Sequence, residues 1–357
     1  MSADLSCDVL VVGLGPAGAS AATVAARLGA RVIGFDRKRQ AGFPVQCAEF
    51  VPPLCGAAPE VVASARRQDI SSMRTMIESA EPFASPDFRG LMIDRATFDA
   101  ALVAEAEAAG AQLRFGALAR TIEPDGAIRF SDGTRIAASV IVGADGPRSL
   151  LGQAIGSANR ELVETRQATV PLLSDYAATD IFLSADYPGG YGWLFPKRDR
   201  AHVGIGLAPG SRHRLKPLLD SLLARLIAQG RVGSNVLAMT GGPIPAGGMV
   251  TPHGEIGRAL VLLAGDAAGL ANPVTGAGIS AAVQSGQLAG EAALRRLGGD
   301  AEAGSRYRDD LTDLFGPPLA RALRRRREVL AACQASSIPS ASALSRGWIA
   351  FPEYWAT

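Results

Sequence analysis

The stretch CDVLVVGLGPAGASAATVAARLGARVIGFD, residues 7–36, decides the fold. Its first seven residues are an apolar, β-branched run of the kind that fills a buried parallel strand. Gly13, Gly15 and Gly18 then give G-x-G-x-x-G, a helix of small residues follows, and a second apolar run ends at Asp36. This is a complete βαβ unit with an acid about 20 residues beyond the glycines, the pattern of a dinucleotide cradle. Gly13 permits the tight turn and Gly15 admits a pyrophosphate to the backbone. Gly18 lets helix and strand pack closely. The helix start offers N–H groups and a positive dipole end to phosphate. Asp36, with Arg37 beside it, is expected at the ribose. The plain alternative is a glycine-rich turn with no ligand; strand, helix and acid together favour binding. The loop does not separate NAD from FAD.

Composition narrows the field. The chain has 357 residues, 48% hydrophobic and 20% charged, enough for one large core or two domains. A net charge of +2 gives no field aimed at nucleic acid. Cys7, Cys47, Cys55 and Cys333 show neither zinc spacing nor a disulfide framework, so no metal is expected and a cytoplasmic location is. No signal peptide and no transmembrane run of about 18 apolar residues is read.

Residues 257–294, GRALVLLAGDAAGLANPVTGAGISAAVQSGQLAGEAAL, hold a second strand–turn–helix unit. Gly265-Asp266 stands at the strand tip, and Pro273, Gly276, Gly278 and Ile279 lead into the helix. This segment resembles the G-D motif of the aromatic-hydroxylase-like two-domain flavoproteins. IVGADGPRSLL, residues 141–151, resembles their D-G motif through Asp145-Gly146 and Arg148-Ser149. Alone, Asp145-Gly146 reads as a turn and Asp266 as a helix cap. Three motifs in the family's order imply FAD.

Further stretches are similar to the geranylgeranyl reductase family. FPVQCAEFVP (43–52), the Asp-Arg-x-x-Phe-Asp helix start at 94–99, GGPIPAGG (241–248), and Tyr191, Trp193, Phe195 and Pro196 of GGYGWLFPKRDRAHVGIGL (189–207) carry that likeness. It covers the chain to about residue 300. The resemblance implies that Ala17 lies at the pyrophosphate and Asp36 at the adenosine ribose. Cys47 and Ala48 would lie by the flavin, Arg95 by the phosphate or ribityl chain, Ala119 by the adenine, and Asp266, Gly278 and Ile279 at the isoalloxazine. The chain departs from the family at Ala277, where glutamate is frequent, at Phe50, where glycine is, and at Asp36, where glutamate is common.

The expected fold is α/β. A Rossmann-like FAD-binding domain is assembled from residues 1–65, 91–156 and 254–298. An inserted antiparallel-sheet substrate domain takes 66–90 and 157–253, and a helical C-terminal tail takes 299–357. Tyr191, Trp193 and Phe195 alternate, so one strand face presents all three rings, either as ordinary core or as a wall over the flavin. Cys47, beside Gln46 and Glu49, is a candidate catalytic residue together with Tyr191, Trp193 and Phe195, the alternative being a buried inert thiol. His202, His213 and His253 are isolated and read as structural or surface. RALRRRREVL, residues 321–330, reads as a solvated helix face, with a peripheral membrane contact as the sharper alternative.

The function these readings support is flavin-mediated hydride transfer to or from an apolar isoprenoid, lipid or aromatic substrate. The competing reading is a monooxygenase acting on an aromatic or protein-borne substrate with NAD(P)H and O2. A third is an electron carrier without substrate turnover of its own. No second G-x-G-x-x-G is present, which leaves NAD(P)H as a transient external donor or a protein donor. Oligomeric state is not readable.

Overall fold

The computed structural model describes residues 4–78, 80–335 and 340–356. Five strands form a parallel sheet in the order Ala259–Leu263, Arg135–Gly143, Asp4–Val12, Val32–Asp36, Gln112–Phe115. The strand His253–Ile256 closes one edge in the antiparallel sense. Val9, Leu10 and Val11 are fully buried, as are Val140, Ile141, Val142, Val261, Leu262 and Leu263. Strands buried on both faces require the continuous apolar runs that the sequence supplies. The helix Pro16–Arg27 packs between Arg95–Ala108 and Ile279–Leu297. The residues around Asp132-Gly133 form a hairpin turn, joining Ile128–Phe130 to Arg135–Gly143.

A second sheet runs Ala238–Thr240, Leu162–Pro171, Arg200–Leu207, Gly192–Lys197, Ala178–Leu183, Ser72–Ile77, Phe83–Ser85. The sequence suggested a wholly antiparallel sheet. One ladder is parallel: Ala178–Leu183 against Ser72–Ile77. The two strands are more than a hundred residues apart and meet without a hairpin, so no turn forces the antiparallel sense. The strand Arg66–Ile70 joins a different, three-stranded sheet with Phe50–Val51 and Gly90–Ile93.

The two faces of the second sheet differ by strict alternation. Ala168, Val170, Leu194, Val203, Ile205 and Leu207 face the helix Leu215–Ala228 and pack on its Leu215, Leu219, Leu222 and Leu226. The intervening residues face the parallel sheet's carboxyl ends. The C-terminal part is one long helix, Ala303–Ala335, followed by the short helices Ala341–Arg346 and Pro352–Trp355. Residues 336–339, between the long helix and Ala341–Arg346, lie outside the described residues. Among the described residues no helix is long and apolar enough to cross a membrane.

Candidate active site

A cavity of about 780 Å³ opens between the parallel sheet and the second sheet. Its walls include Gly13, Gly15, Ala17, Asp36, Arg37, Cys47, Ala48, Arg95, Ala119, Asp145, Asp266, Pro273, Gly276, Gly278 and Ile279 from one side. Tyr191, Trp193 and Phe195 come from the other. Residues spread over most of the sequence therefore line one space. Among the described residues no cluster of His, Cys, Asp and Glu is placed to hold a metal ion.

The end formed by the parallel sheet suits a dinucleotide. Gly13 has φ +93, and a Cβ there would stand 2.3 Å from the Ala144 carbonyl oxygen, so the turn accepts no other residue without moving. Gly15 faces open space, with nothing within 4 Å of where its Cβ would be. A pyrophosphate can reach the backbone there, at the start of the Pro16–Arg27 helix.

Three carboxylates stand at strand tips around this space. The Asp36 carboxylate accepts from the Leu14 and Lys38 N–H groups, both at 2.7 Å, which fixes its orientation and leaves lone pairs for a sugar hydroxyl. The Asp145 carboxylate accepts from the Leu150 N–H at 2.7 Å through Oδ2, while its buried Oδ1 has no partner among the described residues. Burial pushes the Asp145 carboxyl above its ordinary range. Burial also pushes Asp266 up, to about 6, with the nearby Arg95 charge only partly opposing it. No donor reaches the Asp266 carboxylate among the described residues, while Asn159 Nδ2 holds its backbone carbonyl at 2.8 Å. Unsatisfied acceptors facing a cavity call for a ligand rich in hydroxyl donors. FAD, with its ribose and ribityl hydroxyls, fits this donor–acceptor set.

Two glycines of these motifs, Gly18 and Gly265, stand behind the wall rather than on it. A Cβ on Gly18 would lie 1.8 Å from the Gly13 carbonyl oxygen, so this glycine permits close helix-on-turn packing. Gly265, at φ +59, packs against Ala17 and Ala282 and leaves the cavity face to Asp266. Arg95 lines the cavity, but its guanidinium is held by Asp99, through Nε at 2.8 Å and Nη2 at 2.9 Å. Its own side chain is thereby fixed beside Cys47.

The opposite end is aromatic. Trp193 sits over Gly204 on the neighbouring strand, where a Cβ would come 2.2 Å from the indole. The alternation H-V-G-I-G-L, residues 202–207, thus leaves an empty strip of sheet for the indole to occupy. Tyr191 and Trp193 pack at 5.7 Å between ring centroids, and Trp193 and Phe195 at 6.5 Å. The Tyr191 hydroxyl donates to the Thr275 carbonyl at 2.5 Å, tying the aromatic strand to the turn before the Ile279–Leu297 helix. Cys47 is half-buried in the wall, and its Sγ accepts the Glu49 N–H at 3.2 Å.

Behind this wall lies a buried charge network. Glu49 Oε2 accepts from Lys197 Nζ and pairs with His202 Nε2, both at 2.7 Å, and Glu49 Oε1 accepts from the Arg95 N–H at 2.7 Å. Burial pushes the Glu49 carboxyl up, but these partners outweigh it and hold the carboxyl below its ordinary value. His202 is therefore not isolated: strand alternation carries it to the same face as Phe195, its partner in the ladder.

Several wall residues lie outside the motifs. Trp348 and Ile349 come from the tail, with Trp348 packed on Tyr191 at 4.7 Å. Gln167 comes from a strand with no motif. Arg326 comes from the basic run 321–330, which is solvated only in part: Arg324 and Arg327 are exposed, but Arg325 and Arg326 are 5% and 7% exposed. The helix phase held the clue, because Leu319, Ala322 and Arg326 recur at i, i+3 and i+7.

Comparison with known proteins agrees with this architecture. The model for the geranylgeranyl reductase catalytic domain matches residues 158–243. The chain is 31% identical over 323 residues to a digeranylgeranylglycerophospholipid reductase of Methanosarcina mazei, covering 81% of this chain and 75% of that protein. It is 32% identical over 344 residues to digeranylgeranylglycerophospholipid reductase 1 of Methanopyrus kandleri, covering 86% of each. A geranylgeranyl bacteriochlorophyll reductase-like protein from Thermoplasma acidophilum superimposes with a TM-score of 0.81 at 23% identity, over 99% of this chain and 98% of that one. A probable FAD-dependent monooxygenase from Pseudomonas aeruginosa shares the fold with a TM-score of 0.68 at 18% identity, over 93% and 100%. On these identities and this coverage, the chain belongs to the geranylgeranyl reductase family.

Proposed function

We propose that this protein is an FAD-dependent reductase that saturates carbon–carbon double bonds of an isoprenoid-bearing lipid. One observation carries the reading. The carboxylates and glycine turns that fit FAD, and the apolar wall of Tyr191, Trp193, Phe195, Ile181 and Met73, line the same cavity. A ligand that meets this wall lies against the flavin side without crossing the protein. The relatives' names supply the substrate class, and the wall's apolar chemistry suits it.

FAD, when bound, supplies the two-electron chemistry. The residues of this chain bind and orient. The 13–18 turn would hold the pyrophosphate, Asp36 the adenosine ribose, and Asp266 the sugar chain beside the ring. Tyr191 and Trp193 exclude water from the reacting face, and Gln167 and Arg95 keep the Cys47 loop in register with that face. NAD(P)H, as a transient donor, is the reductant we propose.

The test is anaerobic. FAD-loaded protein reduced with dithionite is mixed with a geranylgeranyl lipid. Flavin reoxidation coupled to a gain of two hydrogens per double bond supports the reading. Reoxidation that requires O2, with oxygen inserted into the product, would replace it by the monooxygenase reading.

A further inference from the structure

Adjacent arginines on the long C-terminal helix do different work. Arg325 is fully employed: Nη1 meets the Glu328 carboxylate at 2.9 Å, and Nε donates to the Tyr354 carbonyl at 3.0 Å. Arg326 points the other way, into the cavity wall, where its guanidinium lies against Gly189. Its Nη1 donates to the carbonyls of Gly189 and, at 3.5 Å, Pro273. Its Nε is buried with no acceptor, and no carboxylate pairs with it among the described residues. The acid it feels across the structure, Glu161, is itself paired with Arg327 at 3.2 Å.

A guanidinium keeps its charge even when burial pulls its pKa down, as it does here. An enclosed cation without a counter-ion is costly, and a neutral side chain would serve better if only loop contacts were needed. We propose that Arg326 forms an anion-binding subsite in the chamber wall, which receives the phosphate or carboxylate head of an otherwise apolar substrate. The inference rests on the substrate reading above and adds to it. The Pro273 contact puts this charge next to the flavin-side turn, so the head is held beside the reacting region and the apolar chain runs along the aromatic wall.

The experiment uses the full-length, FAD-loaded protein and two ligands with one chain, geranylgeranyl monophosphate and geranylgeraniol. Binding is read from the flavin absorbance change. The phosphate is expected to bind at least about tenfold tighter than the alcohol. Arg326→Met should abolish that preference, bringing the ratio of the two affinities to about one. Arg326→Lys, which keeps the charge, should retain part of it, and it serves as the folding-safe variant. FAD content and melting temperature are measured on each.

Equal affinities in the wild type, no binding of the phosphate, or a preference that survives in Arg326→Met overturns the proposal. Competition by inorganic phosphate as effective as the prenyl phosphate would assign the subsite to a free anion, and overturns the headgroup assignment. Reduction of the alcohol with no preference for a charged head would leave the reductase reading standing and remove only this subsite. Failure to reduce either ligand, with the preference intact, would do the reverse.

Discussion

The Trp193 indole Nε1 donates to Gln167 Oε1 at 3.0 Å, and Nε2 of the same amide donates to the Cys47 carbonyl at 3.1 Å. Gln167 is thus a strut between the aromatic wall and the Cys47 loop. The strand register explains it: Gln167 and Trp193 both flank Gly204, and with no side chain between them the amide meets the indole.

Replacing Gln167 tests the strut. Gln167→Leu leaves the Trp193 N–H and the Cys47 carbonyl without partners, at a cost of about 1–3 kcal/mol each if both stay buried. FAD content should hold, because Gln167 contacts no dinucleotide turn. Turnover should fall by about 10–100-fold, since misplacement near 1 Å is costly in rate. Gln167→Glu keeps the acceptor for the indole but cannot donate to Cys47. Activity close to wild type in Gln167→Glu would show that only the Trp193 contact matters.

Gly204→Ala tests whether Trp193 needs its bare strip of sheet. The added methyl overlaps the indole, which must tilt into the chamber or push the strand apart, costing about 1–3 kcal/mol. Melting temperature and substrate affinity should both fall. Trp193→Phe in the same chain shortens the ring and should recover stability, so the two changes will not add. Additive losses would mean that Gly204 is constrained by something other than Trp193.

These residues also show what sequence can carry. Gly13 and Asp36 were legible because they sit on one local strand–turn–helix unit whose spacing points to a dinucleotide, whereas Asp145 and Asp266, which alone read as a turn and a cap, were legible only through the resemblance to flavoprotein motifs. Tyr191, Trp193 and Phe195 were legible through period-two alternation. Gln167 was not: its role depends on the register with two other strands, which no local pattern encodes. The parallel pairing of Ser72–Ile77 with Ala178–Leu183 was hidden for the same reason. Arg326 was hidden by its neighbours, because a run of arginines reads as solvated unless the helix phase is traced from Leu319 and Ala322. Gly18 and Gly265 belong to the motifs, yet their steric duty is to the backbone behind the wall.

The tail is part of the chamber, and its removal should show it. Trp348 is 2% exposed, packed on Tyr191, and Phe351 packs on Phe83 at 4.8 Å. Arg325 holds the final turn through the carbonyls of Tyr354 and Ala356. Trp348→Ala should cost about 3–5 kcal/mol if its side chain packs as core. If the tail instead releases, the loss is smaller, the Tyr191–Trp193 face is exposed, and binding of an apolar dye rises. Arg325→Ala should give the second pattern alone. Dye binding and melting measured together distinguish the two, and no change in either variant would mean that the tail leaves the chamber as it was.

Asp266 ties cofactor binding to pH. Its folded-state carboxyl is raised from 3.8 to about 6 by burial. The folded apoprotein therefore favours the protonated form. This group's contribution to stability is fully present below about pH 4 and is lost as pH rises through 6. The ionised carboxylate then destabilises the empty protein by up to about 3 kcal/mol, at roughly 1.4 kcal/mol per pKa unit, and by less where cavity water reaches it. Asp266→Asn removes the charge, so the apo variant should melt higher than wild-type apoprotein at pH 8 and equally at pH 4. FAD reverses the order, because a sugar hydroxyl donating to the carboxylate favours its ionised form. Wild-type affinity for FAD should increase from pH 5 to pH 7 and then level off, whereas the affinity of Asp266→Asn should be weaker and flat. Urea melts of both apoproteins at the two pH values, with FAD titrations alongside, read each effect separately. A variant that binds FAD as tightly as wild type at pH 8 would make Asp266 a turn residue, and an apo variant that gains nothing there would show that its carboxylate is already solvated.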